Sequence, residues 1–483
     1  MFVRVLASRK FLVFIIALLV LQALWLALSF SYPMLWDEYY HFGLIQFYGH
    51  HLNPIITNQP HSLDLYGNVA RSPKYFYHYL LSFPYRLITV FTSNQMAQVI
   101  ALRIVNIGFF AGALVAYRQA MLRITKSKAL VHFILFVIVL LPLSSLLAAQ
   151  INYDNLQLLL TGLVLYWTLR FIQAKQLEIK WLMLVVGVGL ISCVVKYTFL
   201  PVLAAIVVFL CYWIWRTFRK DTWRLASESF RALGRWAKLG LVVVVLLGVG
   251  LSAERFGGNI IKYHQIDPQC SKVLSMERCM TFSPYNQEQT LAKQKQASHT
   301  PLEHGAVGFT VRVWFKQLYL QYFTTGTQLG PGWFTTSNAL PIPFITMLVA
   351  GAIGLGCFLL CLPKLWRRPE IQLSVICIIA LAVALWLVDY GKYKTTGAPL
   401  AIQGRYLLPV VPLGMLLGGI AVRRVLPWRR LKIALASLAV VGFIWGGGIV
   451  THIVLSSSDW DWHNQTVIDA NNAVRKVLNP IVL

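Results

Sequence analysis

Residues 11–31 read FLVFIIALLVLQALWLALSFS, an apolar run of the length that crosses a bilayer, which takes about 20 residues. Two adjacent carboxylates follow it directly, in the stretch Trp36-Asp37-Glu38-Tyr39-Tyr40-His41. Charged side chains beside lipid are energetically costly and usually mark function. The acidic pair at the end of this first span is therefore the leading candidate for a catalytic centre.

The rest of the chain repeats the apolar pattern. Of its 483 residues 57% are hydrophobic, and the mean hydropathy is +0.62. A soluble protein of this size could not cover so much apolar surface. The sequence predicts an all-α polytopic membrane protein with the N-terminus inside and about eleven spans, at residues 11–32, 97–117, 129–149, 155–172, 181–195, 198–215, 239–253, 340–363, 371–388, 406–422 and 433–454.

The net charge of +26 is unevenly distributed along this topology. Segments predicted to lie inside carry 25 basic and four acidic residues, whereas everything else carries 18 basic and 13 acidic residues. This asymmetry is typical of the positive-inside rule. The charge therefore indicates orientation, and we expect no nucleic-acid partner.

The predicted topology divides the chain into a transmembrane domain, residues 1–455, and an outer tail, residues 456–483. Outer regions are expected at about 33–96 and 254–339. The stretch 75–91 is a possible further span, but it would move Arg118–Lys128 outside and break the charge pattern. We expect it instead to form one or two helices on the outer membrane surface.

The second outer region contains several distinct stretches. Ser283–Thr300 is polar and expected to be mobile. Phe309–Phe323 mixes aromatic and basic residues and is expected to form a helix at the membrane surface, with an ordered turn region over Thr324–Asn338. Cys270 and Cys279 share this region, and the sequence leaves open whether they form a disulfide, which requires an oxidising environment.

Six separate segments bring polar or charged side chains to the predicted outer boundary, whereas charge at the inner boundary is almost entirely basic. A carboxylate there can take a proton from a hydroxyl group. Arginine and lysine can hold an anionic leaving group such as a phosphate. The pattern indicates transfer of a group from a lipid phosphate to a hydroxyl. The six segments are Asp37–His41; Arg103; Asn152–Asp154; Lys196–Tyr197; Asp389, Lys392 and Lys394; and Gln403–Tyr406.

These segments also carry a family resemblance. Pro33-x-x-x-Asp37-Glu38-x-x-His41, with Gly49 shortly after, resembles the first-loop motif of the GT-C superfamily of membrane glycosyltransferases, and more narrowly that of the bacterial domain-of-unknown-function 2142 family. Further stretches similar to the family follow in its order. They are Ser72-Pro73-x-Tyr75-x-Tyr77, Ala101-Leu102-Arg103-Ile104-Val105-Asn106, Asn152-Tyr153-Asp154-Asn155, Lys196-Tyr197-Thr198, Gly330-x-Gly332-Trp333 and Gln403-Gly404-Arg405-Tyr406-Leu407-Leu408-Pro409.

The resemblance implies a GT-C-like helix arrangement in a bacterial cytoplasmic membrane, with the active site facing outward. It implies a polyprenyl-phosphate sugar as donor and a hydroxyl on a glycan, lipid or protein as acceptor. It also implies that a hexosyl or pentosyl group is transferred with inversion at its anomeric carbon. Asp37 would act as base, with Glu38 as its partner and Asp154 as the second outer acid. Residues expected to contact substrate are Arg405 and Lys196, which would face the phosphate, and Arg103, His41, Tyr197 and Gln403.

The chain departs from the family pattern at three places: Trp36 replaces the usual Pro, Tyr39-Tyr40 makes the motif more aromatic, and Lys74 stands where Pro or an apolar residue is common. Some members of the superfamily use a divalent metal and others use none. Asp37, Glu38 and Asp154 are possible ligands for one, but no metal site is assigned.

Several of these residues have simpler structural interpretations. The acidic pair could be solvated loop residues, Asp154 a helix N-cap, and Lys196 a side chain that reaches the interface from within lipid. Arg405 could pair with Asp389, and Arg103 could be structural.

Two other functions also fit a many-helix membrane protein. The first is a transporter or flippase of lipid-linked sugars, although transporters place charge near the midplane and have paired repeats. The second is a non-catalytic scaffold in envelope assembly. Here the charges cluster at one boundary and no repeat is apparent, so the enzyme is the first choice.

Overall fold

The structure, a computed structural model, describes residues 2–34, 37–174, 176–299, 301–323, 341–426, 428–445, 447–454, 456 and 458–482. It is 80% helical and contains no strand among these residues. The first twelve helices are α1 Phe2–Leu6, α2 Arg9–Ser29, α3 Glu38–Gly49, α4 Phe76–Phe91, α5 Gln95–Ile124, α6 Lys128–Leu140, α7 Pro142–Ala148, α8 Tyr153–Gln173, α9 Ile179–Val195, α10 Leu200–Phe218, α11 Thr222–Arg231 and α12 Arg235–Ser252.

The remaining helices are α13 Gly258–Tyr263, α14 Cys270–Val273, α15 Met276–Met280, α16 Ser283–Ser298, α17 Ala306–Gly308, α18 Phe315–Leu320, α19 Pro341–Leu365, α20 Pro369–Thr396, α21 Val411–Val425, α22 Arg429–Trp445 and α23 Gln465–Val482. Short 3-10 turns include His61–Tyr66, Tyr197–Phe199 and Gly404–Leu407. The predicted region Thr324–Asn338, with its Gly330-x-Gly332-Trp333 stretch, lies outside the described residues, as does Trp36.

The protein is a multi-pass membrane protein. Within the described part of the chain seven helical segments are long and apolar enough to cross a bilayer. The predicted count of about eleven is not reached, because the helices at three predicted spans are only 15–17 residues long: α9, α21 and α22. The seven segments are Arg9–Ser29, Gln95–Ile124, Tyr153–Gln173, Tyr197–Arg231, Arg235–Tyr263, Ile345–Leu365 and Pro369–Thr396.

The predicted span at 129–149 is a bent pair rather than a straight helix. Helices α6 and α7 meet at 74°, and together they are an eighth candidate crossing. Leu141 has an extended backbone between them, as expected for a residue before proline. Pro142 then begins α7, where its missing N–H costs nothing. All of α7 is buried, so the bend directs this segment into the protein.

The centre of the bundle is α8, which packs against α5 on one side and α9 on the other. Helix α9 in turn packs closely along α12. There a β-carbon at Gly248 would collide with the carbonyl oxygen of Gly187. Two facing glycines therefore let these two backbones touch, as small residues commonly do between membrane helices.

Helix α4 corresponds to the stretch that the sequence left open as a further span. It has 16 residues, with Tyr77, His78 and Leu81 buried and Leu87 exposed. Asp37 and Asp154, on either side of it in sequence, both contact Arg405. The chain must therefore cross the membrane an even number of times between them. Counting α5 and the bent pair as the two crossings satisfies this requirement with α4 at the membrane surface, where we expected it.

The two predicted outer regions pack against each other. Arg71 of the first pairs with Glu254 of the second at 3.0 Å, and Arg278 binds both oxygens of Asp64 at 2.7 and 2.6 Å. Cys270 and Cys279, whose pairing the sequence left open, form a disulfide. The stretch expected to be mobile, 283–300, is instead mostly the helix α16. Its Glu288 receives a hydrogen bond from Lys392 of α20 at 2.8 Å.

The tail folds back onto the first span. The backbone of Trp462 donates to the Ser29 carbonyl, and that of Ser31 donates to the Trp460 carbonyl, both at 2.8 Å. Helix α23 follows, and its Arg475 pairs with the buried carboxylate of Asp461 at 3.1 Å. The tail therefore lies at the end of the bundle that carries Asp37.

Candidate active site

Four residues that the sequence placed on four distant segments meet at one point. The Arg405 guanidinium lies 3.4 Å from Asp37 through Nη2–Oδ2 and 3.5 Å from Asp154 through Nε–Oδ2. Lys196 Nζ donates a hydrogen bond to the other carboxylate oxygen of Asp154. Two acids and two bases therefore form one ion-pair chain, Asp37–Arg405–Asp154–Lys196.

The members of this chain differ in their access to solvent. The Asp37 side chain is 56% exposed, whereas those of Asp154, Lys196 and Arg405 are 6%, 5% and 1% exposed. Asp37 therefore stands at the opening of the site. The other three residues form its floor, where reduced contact with water strengthens their electrostatic interactions.

The backbone of Asp37 directs its carboxylate toward this floor. Asp37 precedes α3 and has a φ of 69°, in the left-handed region that costs a non-glycine residue energy. At the N-cap position an aspartate side chain normally accepts from the first turn, but Asp37 makes no such bond. Its carboxylate contacts Arg405 instead. Backbone strain of this kind concentrates at functional sites.

Arg405 is held by a turn that tolerates no side chain at the preceding position. A β-carbon on Gly404 would lie 2.5 Å from the Leu318 carbonyl oxygen of α18. The Gly404 N–H donates to Gln321 Oε1 at 2.6 Å, and its carbonyl accepts from the Tyr322 hydroxyl at 2.8 Å. The glycine of the Gln403-Gly404-Arg405-Tyr406 stretch thus permits the close contact that positions the arginine.

Lys196 lies between two aromatic rings. Its Nζ is 4.1 Å from the ring centre of Tyr406 and 4.8 Å from that of Tyr153, within the range of cation–π attraction. Burial lowers the pKa of Lys196 to about 8, against the opposing effect of the Asp154 carboxylate. The simple alternative, a lysine that reaches outward to the membrane interface, does not fit a side chain that is 5% exposed.

Glu38 and Arg103 form a second, separate ion pair. Arg103 Nε and Nη2 bind the two Glu38 oxygens at 2.9 and 2.7 Å, and both side chains are fully buried. The other Arg103 donors bind backbone carbonyls at the end of α2, those of Ala27, Phe30 and Ser31. The Glu38 oxygens also accept from the backbone N–H groups of Met34 and Ile151.

Neither residue of this pair therefore faces the opening. Glu38 points away from Asp37 because Asp37 precedes α3 whereas Glu38 is already its first residue. The placement differs from the role we predicted for Glu38 beside Asp37 and from the substrate contact predicted for Arg103. It agrees with the structural alternative for Arg103.

His41 is fully buried and contacts another histidine. Its Nδ1 lies 2.9 Å from Nε2 of His78, and the two rings stack. Burial lowers the pKa of His41 well below its ordinary value and that of His78 to about 3. Both imidazoles are therefore neutral at pH 7, and the N–H of one donates a hydrogen bond to the ring nitrogen of the other. This neutral pair supports the ring of Tyr153, 4.5 Å from His41.

A network of buried amides fixes the start of α8. Its members belong to the motif stretches quoted above, but we predicted no role for them individually. Asn106 Oδ1 accepts from the Tyr77 hydroxyl at 2.8 Å and from Asn155 Nδ2 at 3.2 Å. Asn152 is the N-cap of α8, with its side chain accepting from Asp154 N at 2.9 Å. The alternative that Asp154 caps this helix is wrong. The cap leaves the Asp154 carboxylate available for Lys196 and Arg405.

The remaining predicted residues lie around the same turn. Gln403 is the N-cap residue of the turn that carries Arg405, and its Oε1 is buried with no hydrogen-bond partner in the described structure. Tyr197 follows Lys196 and is half-buried. Asp389, the structural alternative partner of Arg405, instead accepts from Trp314 Nε1 at 2.8 Å.

The carboxylates do not fit a divalent cation well. Of the three possible ligands Glu38 is directed toward Arg103, and the described residues contain no group of three His, Cys, Asp or Glu side chains placed to hold a metal. Asp37 and Asp154 both contact Arg405. A metal ion between them would be repelled by Arg405 and Lys196.

Among known proteins, this chain resembles solved structures only. No protein-family model and no curated protein matches the sequence. Solved structures that match include the oligosaccharyltransferase of Archaeoglobus fulgidus in its apo form, with 12% identity over 96% of this chain and a TM-score of 0.47. The same organism's oligosaccharyltransferase AglB, in complex with an inhibitory peptide and a dolichol-phosphate, matches with 14% identity over 91% of this chain and a TM-score of 0.45.

The chain spans about half the length of these structures, covering 56% and 55% of them. A likeness of this extent, with both TM-scores below 0.5, establishes neither a shared family nor a shared activity. What is established for this chain is a multi-pass helical membrane protein with a half-exposed carboxylate above a buried ion-pair chain.

Proposed function

We propose that this protein is a membrane glycosyltransferase that moves a sugar from a polyprenyl-phosphate donor to a hydroxyl acceptor. One observation carries the proposal: the half-exposed Asp37 carboxylate lies 3.4 Å from the buried guanidinium of Arg405, which shares Asp154 with Lys196. An accessible base beside buried cations is what such a transfer requires.

In the proposed reaction Asp37 takes the proton of the acceptor hydroxyl as its oxygen bonds to the anomeric carbon of the donor. The bond from that carbon to the phosphate oxygen breaks, and the configuration inverts. The polyprenyl phosphate leaves with the bonding electrons. Arg405 and Lys196 stabilise the negative charge that develops on it, since donors fixed in a site of low polarity act strongly on such charge.

The geometry of Arg405 supports its role at the phosphate. Its contacts with Asp37 and Asp154, at 3.4 and 3.5 Å, are longer than the roughly 2.7–2.9 Å of a strong charge-assisted hydrogen bond. Arg103, by contrast, binds Glu38 at 2.7 and 2.9 Å. In this proposal Arg405 exchanges part of its longer contact with these carboxylates for a phosphate oxygen.

Glu38 and Arg103 act in this proposal as positioning residues. Their pair fixes the start of α3 to the end of α2 and to the backbone of Ile151, which directly precedes the N-cap of α8. The pair therefore sets the distance between Asp37 and Asp154. The roles of His41, Tyr197 and Gln403 as substrate contacts remain predictions.

The charge asymmetry supports a site on the outer face of a bacterial cytoplasmic membrane. Asp37 follows the first span, whose preceding segment carries Arg4, Arg9 and Lys10. The loops assigned to the inside are basic throughout, whereas the site itself pairs two acids with two bases. A donor with a polyprenyl chain would reach such a site from the membrane.

The test begins with mass spectrometry of the lipid that co-purifies with the protein. We expect a polyprenyl phosphate or its glycosylated form. Given that glycosylated lipid together with a hydroxyl acceptor, the purified protein should release polyprenyl phosphate as the sugar passes to the acceptor. Asp37→Asn should abolish release, whereas Asp469→Asn, an exposed acid of α23, should not. Release that is unchanged in Asp37→Asn would refute the base assignment. Movement of intact donor from one leaflet of a vesicle membrane to the other, without cleavage, would favour a flippase.

A further inference from the structure

Beside Asp37 lies a cluster of four aromatic rings that the proposed transfer does not use. We call Tyr39, Tyr40, Tyr66 and Phe282 the rim cluster. The ring centres of Tyr39 and Tyr66 are 5.8 Å apart, those of Tyr40 and Tyr66 are 5.8 Å apart, and those of Tyr40 and Phe282 are 6.5 Å apart. The rings come from α3, from the turn His61–Tyr66 and from the residue before α16, so tertiary folding assembles them.

Two glycines make room for these rings. A β-carbon at Gly43 would collide with the Tyr66 hydroxyl, and one at Gly67 would lie 2.8 Å from the Phe282 ring. Gly67 also has a φ of +78°, which glycine adopts without strain. The positions of Tyr66 and Phe282 thus depend on the absence of side chains beneath them.

The rim cluster borders the opening of the site. Tyr39 is 51% exposed and lies two residues from Asp37, while the other three rings are half-buried behind it. Burial raises the pKa of Tyr40, and the charges of Asp37 and then Asp267 add to that effect. The charges of two carboxylates, one from each outer region, therefore act on Tyr40.

Asp267 is fixed at this position by its neighbours. Asn259 Nδ2 donates to the carbonyl of Ile266 at 3.0 Å, and Asn68 Nδ2 donates to that of Pro268 at 3.3 Å. Solvent reaches the Asp267 side chain. Burial by the surrounding protein nevertheless raises its pKa. Asp267 is therefore an accessible carboxylate of the second outer region, and its charge acts on Tyr40 of the rim cluster.

We propose that the rim cluster and Asp267 form the acceptor subsite, and that it binds a pyranose ring of a saccharide acceptor. The inference rests on the proposed function and narrows its acceptor from glycan, lipid or protein to a glycan. One face of a pyranose is a flat array of C–H groups, which the electron-rich face of an aromatic ring attracts. The hydroxyls at the edge of the sugar then donate to Asp267 and, at the reacting position, to Asp37.

A peptide acceptor fits this surface less well. Extended peptides bind by adding a strand to a sheet edge or by docking in a groove with side-chain pockets. The described part of the chain contains no sheet. The cluster instead presents aromatic ring faces bordered by a few carboxylates and hydroxyls. Sites for small ligands commonly have this composition, an apolar surface with a few polar groups that orient the ligand.

The experiment measures saccharide binding without turnover. The full-length protein in nanodiscs is titrated with a panel of glucose, galactose, mannose, rhamnose and N-acetylglucosamine mono- and trisaccharides, and saturation-transfer NMR records which sugar protons approach the protein. We expect at least one saccharide to bind at millimolar concentration, with transfer strongest to the ring C–H protons. Tyr39→Ala, Tyr66→Ala and Asp267→Asn should each weaken binding about tenfold, and Tyr263→Ala, outside the cluster, should not.

A second variant tests the geometry with all four rings present. Gly43→Ala displaces Tyr66 and should weaken binding of the same saccharide. Circular dichroism and the melting temperature show whether the variant is folded. Binding that is absent across the panel, insensitive to the cluster variants or found only for a matched peptide panel would overturn the inference. The binding measurement requires no donor. Saccharide binding can therefore be detected even if the proposed transfer reaction is not, and the two proposals are tested separately.

Discussion

Asp37 Oδ2 lies 3.4 Å from Arg405 Nη2, although 368 residues separate the two in sequence. The aspartate is half exposed and the arginine almost completely buried. This contact joins the first of the six polar segments at the outer boundary to the last of them. It orients the carboxylate without enclosing it, which suits a group that must meet a substrate.

The first prediction concerns Asp37. Asp37→Asn removes the proposed base and keeps the size of the side chain, so we expect transfer to fall by about 10²–10⁴-fold, the usual contribution of general-base catalysis. Because the side chain is 56% exposed, the melting temperature should change little. Single-turnover release of polyprenyl phosphate and thermal unfolding measure the two effects. A variant that loses activity only through unfolding would contradict the assignment.

Glu38 should behave in the opposite way. Glu38→Gln leaves Arg103 buried beside a neutral group, and breaking a buried ion pair costs about 3–5 kcal/mol. We therefore expect a large loss in thermal stability that accompanies any loss of activity. Glu178→Gln, in a half-exposed pair on the other side of the bundle, is the matched control. A stable Glu38→Gln protein without turnover would restore the catalytic role that the sequence indicated.

Lys196 should give transfer an alkaline limit. Its pKa is lowered to about 8, chiefly by burial, so the ammonium loses its proton as the pH rises through that value. We expect the KM for donor to increase by about tenfold for each pH unit well above 8, because the phosphate loses a cation. Lys196→Arg should remove this dependence, since a guanidinium stays charged. An identical pH profile in both proteins would exclude Lys196 from the phosphate.

Loss of the Lys196 proton should weaken donor binding but make the folded protein more stable. The folded-state pKa lies below the ordinary value of 10.5, so the unfolded chain binds more protons between about pH 8 and 10.5. The contribution of Lys196 to folding free energy therefore becomes more favourable as the pH rises through that window. Denaturation of wild type and Lys196→Met across the window measures the difference. A contribution that decreases with pH would mean that Lys196 is stabilised as the cation.

Gly404 tests the positioning of Arg405 without altering the arginine. Gly404→Ala would force the turn away from the Leu318 carbonyl, 2.5 Å from the new β-carbon. We expect turnover to fall by about tenfold or more, as for other small displacements of a catalytic group. Gly414→Ala is the control, because nothing lies within 4 Å of a β-carbon there. Equal activity in the two variants would show that Arg405 needs no fixed turn.

The disulfide should stabilise the second outer region. Cys270 and Cys279 close a loop with a sequence separation of nine, for which chain entropy predicts about 2–3 kcal/mol. The paired variant Cys270→Ser with Cys279→Ser should lose stability of this order, measured as protease sensitivity of residues 264–282. The free cysteine Cys211, which is exposed, provides the control substitution. Unchanged protease resistance would mean that the Arg278–Asp64 pair alone holds the region.

The meeting of Asp37, Asp154, Lys196 and Arg405 was predictable because charge at a membrane boundary is expensive and therefore informative. The different directions of Asp37 and Glu38 were not, since the angle between adjacent side chains depends on the backbone conformation at that point. Here it is the left-handed conformation of Asp37 before α3. Nothing in the local sequence states it.

The predicted count of about eleven spans is not confirmed, for a related reason. Hydropathy measures apolar length but not where a helix begins, and the turn that carries Arg405 delays α21 to Val411. The bend at Pro142 had a visible signal, a proline within an apolar run, which the count of spans ignored. The rim cluster had none, because the contact of Gly43 with Tyr66 depends on how two distant segments pack.

The folded-back tail has a consequence for biosynthesis. Ser29 and Asn471 share a hydrogen bond although 442 positions separate them, and Trp462 lies against the guanidinium of Arg103 at 5.5 Å. The Glu38–Arg103 pair, which joins the first two spans, is synthesised early. Trp462, which packs on Arg103, is synthesised only after the helices that precede it. The nascent protein should therefore hold Asp37, the proposed base, in an incomplete site until that late segment packs against the first span.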